Sequence, residues 1–267
     1  RYTITWPNSL AISVNGDIYC SDEYENAIYV FDSDQVYPFP TSDPKNEVKL
    51  KWGEKGNQPG KFKGPTGLTF DNNGDLHVVD SGNDRIQIFS PTGSYIRSWG
   101  ESGKKQGQFC NPWGIFIDNE GKIYVADWGN NRVQIFDIKG QYISTIGTTG
   151  AEHQLLNHPS HVAVDKDGDI YVSDWGNNRV QIFNRDGNFI QNLNGDSTDF
   201  SKAALYVLDR SALANTIAEE TLKKKPNLME QFKEFGRPTG IAINQENQVI
   251  LAAPKSRLQV DNKIADY

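Results

Sequence analysis

The sequence predicts an all-β fold, a β-propeller of four-stranded antiparallel blades with a small helical insertion. Three observations carry that expectation. The decamer "DWGNNRVQIF" occurs twice, at 127–136 and 174–183. Pro65, Pro112 and Pro159 open segments of one pattern, 47 residues apart. Within each segment, β-branched and aromatic runs alternate with Asn, Asp and Gly turns. Self-similarity at such a period is the mark of a repeat architecture, and four short antiparallel strands per repeat suit radial sheets.

Each unit reads as four strands, like "GIFID", "KIYVAD", "RVQIF" and "YISTIG". Residues of these types favour strands. The first two strands are separated by "NNGD", "NEGK" or "KDGD", which supply residues tolerant of positive φ. Both strands are nearly continuous apolar runs, as expected when a sheet is covered on both faces. Full copies begin at Gly64, Asn111 and His158. Degenerate copies open the chain ("WPNSLAISVNGDIYCSDEYENAIYVFD") and close it ("RPTGIAINQENQVILAAPKSRLQV"). Five units in one domain, 1–267, are therefore expected.

Two insertions interrupt the period. "DSDQVYPFPTSDPKNEVKLKWG" falls between strands three and four of the first unit and reads as a Pro-rich surface loop. Residues 194–236 change to a helical period. Ala204, Leu205, Leu208, Leu213 and Ile217 form one stripe, and Leu228, Phe232 and Phe235 another. Asp199 suits an N-cap and Gly236 a stop. Two readings stand: packing against the blades, or a lid over one face.

The repeated decamer reads as a building part, since a site seldom recurs in successive units. Asp127 and Asp174 end the second strand, Asn131 and Asn178 occupy the turn, and Arg132 and Arg179 start the third strand. Asp22, Asp80 and Arg85 hold matching places. These side chains are expected to be buried and mutually hydrogen-bonded, because buried polar groups require partners. Trp128 and Trp175 are additions, as the other units place Glu23 and Ser81 there.

Strand parity puts the two–three turns and the Pro-x-Gly starts on one face. Trp113, Trp128, Trp175, Tyr24, His158, His161 and Arg237 belong to that face or its edge, from which the helical insertion also rises. Trp113, Trp128, Trp175, His161 and Arg237 are the candidate binding residues, since exposed aromatics and arginines anchor partners.

Other chemistries find little support. Lys and Arg number 27 against 34 Asp and Glu, a net charge of −7, which disfavours a general nucleic-acid binder. Cys20 and Cys110 make no disulfide framework, and Cys110 has no evident base. No Gly-x-Ser-x-Gly elbow and no phosphate-cradling glycine loop occur. The histidines are His77, His153, His158 and His161, too scattered for a zinc site. "DKDGD" at 165–169 imitates a calcium loop but runs straight into a strand, and reads as a hairpin turn. No catalytic residue, metal or other cofactor is expected. With no leader and no apolar stretch long enough to span a membrane, a soluble chain is expected. Arg1 stands where Met would open a primary product, so a processed chain or part of a longer one is expected.

The pattern Pro-x-Gly-[Ile/Leu]-x-[Phe/Ile]-Asp followed by Tyr-Val-x-Asp-x-x-Asn-x-Arg-[Ile/Val]-Gln-[Ile/Val]-Phe resembles the NHL-repeat family of β-propellers. The resemblance covers nearly the whole chain except the two insertions. It implies a propeller, six-bladed in most members, that serves as a scaffold for a protein or small-molecule ligand. Peptidyl-amidoglycolate lyases of similar architecture hold zinc with several histidines, so a lyase or hydrolase at a central channel is the alternative. RNA binding, known for some members, is disfavoured by the acidic balance.

Overall fold

The computed structural model describes residues 4–32, 48–148, 150, 152–193, 237–244, 248–253 and 257–262. The first blade comprises β1 (Pro7–Ile12), β2 (Ile18–Asp22), β3 (Ala27–Phe31) and β4 (Leu50–Trp52). The second comprises β5 (Pro65–Phe70), β6 (Leu76–Asp80), β7 (Arg85–Phe89) and β8 (Tyr95–Trp99). A short parallel ribbon follows, β9 (Glu101–Ser102) with β10 (Gln108–Phe109). The third blade is β11 (Ile115–Ile117), β12 (Ile123–Asp127), β13 (Arg132–Phe136) and β14 (Tyr142–Ile146). The fourth is β15 (Pro159–Val164), β16 (Ile170–Asp174), β17 (Arg179–Phe183) and β18 (Phe189–Leu193). The fifth shows three strands, β19 (Gly240–Ile243), β20 (Gln248–Ala253) and β21 (Arg257–Asn262).

Every blade is an antiparallel meander in sequence order, so the strand reading of the repeat holds. The described residues contain no α-helix, only 3-10 turns such as Ser81–Asn83, Trp128–Asn130 and Trp175–Asn177. The helical reading of 194–236 lies outside the described residues, as does most of the Pro-rich loop. The chain divides into two compact units, Arg1–Gly150 and Ala151–Tyr267.

Blade-to-blade packing supplies the core of the first unit. Tyr19, Ile28 and Val30 of the first blade meet Leu68, Leu76, Val78 and Phe89 of the second. Val79 and Ile86, on the opposite face of the second blade, meet Ile115, Ile123, Val125 and Phe136 of the third. Both faces of β6 and β12 are thus buried, which explains their unbroken apolar text. Phe62 and Phe109 plug the blade junctions, and Trp99 lies 4.7 Å from the Phe136 ring and 5.8 Å from Phe109. Gly140 passes directly beneath Trp99. A Cβ there would come within 2.7 Å of the indole, at a φ of +85° that L residues avoid.

A second device joins successive blades. The residue closing the two–three turn is left-handed in the first four blades: Asn26, Asp84, Asn131 and Asn178 have φ of 53–56°. Where the contact lies within one unit, its side-chain oxygen accepts the N–H of the residue entering the next blade. Gly64 donates to Asn26 at 2.9 Å, Asn111 to Asp84 at 2.7 Å, and Arg237 to Asn178 at 3.1 Å. The entering residues are themselves left-handed, including Asn111, His158 and Arg237, which carry side chains. Asn and Asp fit the turn position because they tolerate this backbone and bring an acceptor.

Candidate functional site

The repeated Asp, Arg and Gln residues form one network in each of the second, third and fourth blades. Asp80, Asp127 and Asp174 are completely buried. Asp127 Oδ2 accepts from Arg132 Nε at 2.8 Å, Asn130 Nδ2 at 2.9 Å and Gln134 Nε2 at 3.1 Å, while Oδ1 accepts the Cys110 N–H at 2.8 Å. Burial pushes the Asp127 carboxyl up, and those same hydrogen bonds pull it back down. Asp80 and Asp174 repeat the set through Arg85, Asn83 and Gln87, and through Arg179, Asn177 and Gln181.

The arginines then reach beyond their own blade. Arg132 donates to the carbonyls of Lys104, Lys105 and Gln108, and Arg85 to those of Asn57, Gln58 and Lys61. Each guanidinium therefore fixes the connecting loop against the carboxylate. Asp and Arg are bonded to each other in each of these three blades. Asn130 and Asn177 make the tie, whereas Asn131 and Asn178 are exposed and supply the left-handed turn.

The tryptophans are built on this frame. Residue 128 opens a 3-10 turn beside the start of the blade, at residue 113. In the first blade the same pair of positions holds Asn8 and Glu23, joined by a 3.2 Å hydrogen bond. In the third it holds Trp113 and Trp128, with ring centroids 6.4 Å apart and planes inclined by 39°. The backbone of Trp113 is held by the second blade, since its carbonyl accepts from Thr66 Oγ1 at 2.8 Å and from the Gly67 N–H at 2.9 Å. Both rings are half-buried.

Trp175 gathers a different set within the second unit. The Arg237 guanidinium lies over its ring, 4.4 Å from the centroid, and His158 meets it edge-on at 6.4 Å. Such stacking anchors an arginine through its face and leaves the N–H edge for other contacts. His158 Nδ1 lies 2.6 Å from Asn157 Oδ1, which orients the imidazole. Arg237 is exposed, and its backbone is held by Asn178. The sequence placed His158 on the same face as Trp175 and Arg237, but outside the set of candidate binding residues.

His161 stands apart from both groups. It occupies the position of Gly67, whose Cβ direction points 2.7 Å from the Trp113 carbonyl oxygen of the following blade. Its Nδ1 is enclosed without a hydrogen-bond partner, and burial lowers its pKa to about 4. The residue as a whole is half-buried. Among the described residues, no three or more His, Cys, Asp or Glu side chains converge on a point where a metal could sit. Asp165, in the calcium-like segment, accepts the N–H groups of Asp167 and Asp169 at 2.9 and 3.0 Å, closing the hairpin between β15 and β16.

Comparisons with known proteins agree with this architecture. The family model for the NHL repeat matches residues 62–89, 109–136 and 156–183. Each match runs from the plug residue of a loop to the end of a third strand. No curated protein matches the chain. Among solved structures, streptogramin B lyase is similar at a TM-score of 0.57 and 15% identity, over 92% of this chain and 62% of that one. A catalytically inactive virginiamycin B lyase from Staphylococcus aureus with quinupristin gives 0.57 at 13%, over 96% and 68%. A protein of unknown function from Bacteroides caccae gives 0.60 at 13%, over 94% and 72%. The chain thus spans about three fifths of the length of streptogramin B lyase. No helix among the described residues is long and apolar enough to cross a membrane. Three consecutive meanders of the chain carry the NHL repeat, on four-stranded antiparallel blades of the β-propeller kind.

Proposed function

We propose that this protein is a binding module, and that the tryptophan-bearing turns contact its protein or small-molecule ligand. The observation that carries the reading is a contrast between equivalent positions. The frame is complete in the second blade with Ser81, yet the third and fourth blades place Trp128 and Trp175 there, beside Trp113 and beneath Arg237. Large aromatics added where the fold does not need them supply contact area at low entropic cost. Arg237 adds a charged edge on a preset backbone.

The test is the pair of substitutions Trp128→Ser and Trp175→Ser, which restore the residue of the second blade. Binding to whatever an unbiased pull-down with intact protein recovers should fall by more than tenfold, as loss of an anchor worth above ~2 kcal/mol requires. The unfolding midpoint should stay near that of the parent. Full affinity in the double variant would move the interaction elsewhere.

A second reading draws on the lyases among the structural neighbours. An enzyme of that kind would convert a compound such as quinupristin, which is present with one of those lyases. Incubating the protein with quinupristin, with and without added magnesium or zinc, and following the product by mass spectrometry separates the two readings.

A further inference from the structure

Two residues in strained backbone converge on Trp175. The second to fifth blades are each entered through the residue before the first proline: Gly64, Asn111, His158 and Arg237. All four are left-handed, with φ of 66°, 47°, 53° and 57°. Glycine adopts that backbone freely and Asn tolerates it, whereas a long side chain such as arginine is strained there. Arg237 holds the position all the same, its N–H fixed by Asn178 Oδ1 at 3.1 Å. Its guanidinium carbon lies 4.4 Å from the centre of the Trp175 ring. His158, the entering residue of the fourth blade, meets the same indole edge-on at 6.4 Å. Asn157, which orients that imidazole, is itself fixed, since its N–H donates to Asp174 Oδ1 at 2.7 Å and its carbonyl accepts the Gly176 N–H at 2.8 Å.

The donors of Arg237 are uncommitted. Arg85, Arg132 and Arg179 each donate to a buried aspartate and to loop carbonyls, and Arg97 donates to the carbonyls of Lys139 and Ile138. Arg237 is exposed, and among the described residues its guanidinium donates no hydrogen bond and joins no ion pair. Its attraction to the indole draws on the ring's π electrons and uses no oxygen acceptor, so the fork of N–H groups stays available. Such a fork matches the two oxygens of a planar oxyanion. The charge is single. Within this unit Lys166 and Arg185 lie in the β15–β16 and β17–β18 turns, at the other end of the strands, and Arg179 is neutralised by Asp174. A net charge of −7 on the chain also repels multiply charged anions more than singly charged ones.

We propose that Arg237, held on Trp175, is a carboxylate-binding site: the guanidinium takes a singly charged carboxylate of the ligand in a bidentate pair, and the indole keeps the guanidinium in place. This rests on the reading of the tryptophan-bearing turns as a binding surface and names the chemistry that one of them selects.

The experiment titrates the whole isotope-labelled chain at constant ionic strength and follows the Arg237 Nε–H and Trp175 Nε1–H resonances by NMR. The probes are N-acetylglycine, which carries a chain-end carboxylate, the α-amide of N-acetylglutamic acid, which carries a side-chain carboxylate, neutral N-acetylglycinamide, and inorganic phosphate. At least one carboxylate should shift both resonances saturably, and the tighter of the two names the source; the neutral amide should shift neither. Arg237→Lys should weaken binding about tenfold, since an ammonium lacks the fork. Arg237→Gly should abolish it with the unfolding midpoint near the parent's, because Gly64 fills the matching left-handed place. Binding of neither carboxylate, phosphate binding as tight as the better carboxylate, or a Trp175 shift that persists in Arg237→Gly overturns the proposal. If that happens while the Trp128→Ser and Trp175→Ser double variant still loses the pull-down partner, the tryptophan surface stands and only the carboxylate assignment falls. An Arg237-dependent carboxylate shift in the parent, with partner binding intact in the double variant, upholds the site and removes the surface from partner binding.

Discussion

Arg132→Ala tests whether the repeated Asp–Arg pair is part of the frame. The substitution removes four hydrogen bonds, one to Asp127 Oδ2 and three to the carbonyls of Lys104, Lys105 and Gln108. Asp127 has no exposure, so its charge cannot turn to water, although Asn130, Gln134 and the Cys110 N–H remain as donors. Breaking a buried pair by deleting one partner costs about 3–5 kcal/mol. The Arg132 side chain is 10% exposed, so water can enter and reach the loop carbonyls once it is gone. That places the expected loss at the lower end, about 3 kcal/mol. Arg179 makes the same bond to Asp174 and also donates from Nη2 to the Leu155 carbonyl, so Arg179→Ala should cost a similar amount, about 3 kcal/mol. Urea midpoints read by tryptophan fluorescence measure both, with a check that the slope is unchanged. A double cycle of Arg132→Ala with Asp127→Asn should show coupling above ~1 kcal/mol. If Arg132→Ala shifts stability by less than ~0.5 kcal/mol, as an ordinary surface change would, the network does not hold the loop and the reasoning fails.

Three further outcomes are expected. Gly74→Ala, at φ +83° with open space around it, should cost about 1–2 kcal/mol, and Gly140→Ala should cost clearly more because its Cβ also strikes Trp99; thermal unfolding of both variants checks the order. His77 Nε2 lies 3.2 Å from Asp71 where Tyr124 and Tyr171 donate to Asp118 and Asp165, so His77→Tyr should restore the repeat's bond and raise stability by about 1 kcal/mol at neutral pH, read from urea midpoints. His161 has a folded pKa near 4 against 6.5 for a free imidazole, so the unfolded chain takes up its proton first; stability should fall by up to about 3 kcal/mol as pH drops from 6.5 to 4, and His161→Gln should flatten that slope in denaturation curves measured across the window.

The blades were legible because their causes are local and repeated. Strand text, turn residues and a constant period leave few alternatives, and the Asp–Arg pair follows from a buried charge needing a partner. The separate roles of the two asparagines in "GNNR" were not readable, because the neighbours differ only in backbone state. Asn130 lies within the 3-10 turn and points its amide at Asp127, while Asn131 takes the left-handed position. The loop contacts were invisible for another reason. Arg132 binds carbonyl groups, which every residue has, so the letters at 104, 105 and 108 carry no trace of it. One signal was available: "GESGKKQGQF" and "GEKGNQPGKF" keep Gly and Phe at the same spacing before successive blades, and Gln87 and Gln134 each hold a loop N–H, at Gly60 and Gly107. Trp128 and Trp175 stood out in the sequence by contrast with Ser81. The association of Trp175 with Arg237 was not readable, because 62 residues separate them and only the blade order brings them together.

The clasp between a left-handed turn residue and the next blade's first N–H has a consequence for how such a chain can change. Its two ends are 27 residues apart between Asp84 and Asn111, 38 between Asn26 and Gly64, and 59 between Asn178 and Arg237. The bond is the same in all three cases, so the joint is indifferent to how much polypeptide runs between its ends. Lengthening a flexible connection adds little to the entropy of closing it. New segments can accumulate at these places while the spacing of blades stays fixed. Novelty in this architecture is thereby channelled into the outer connections, and those are also the natural points at which to graft foreign sequences.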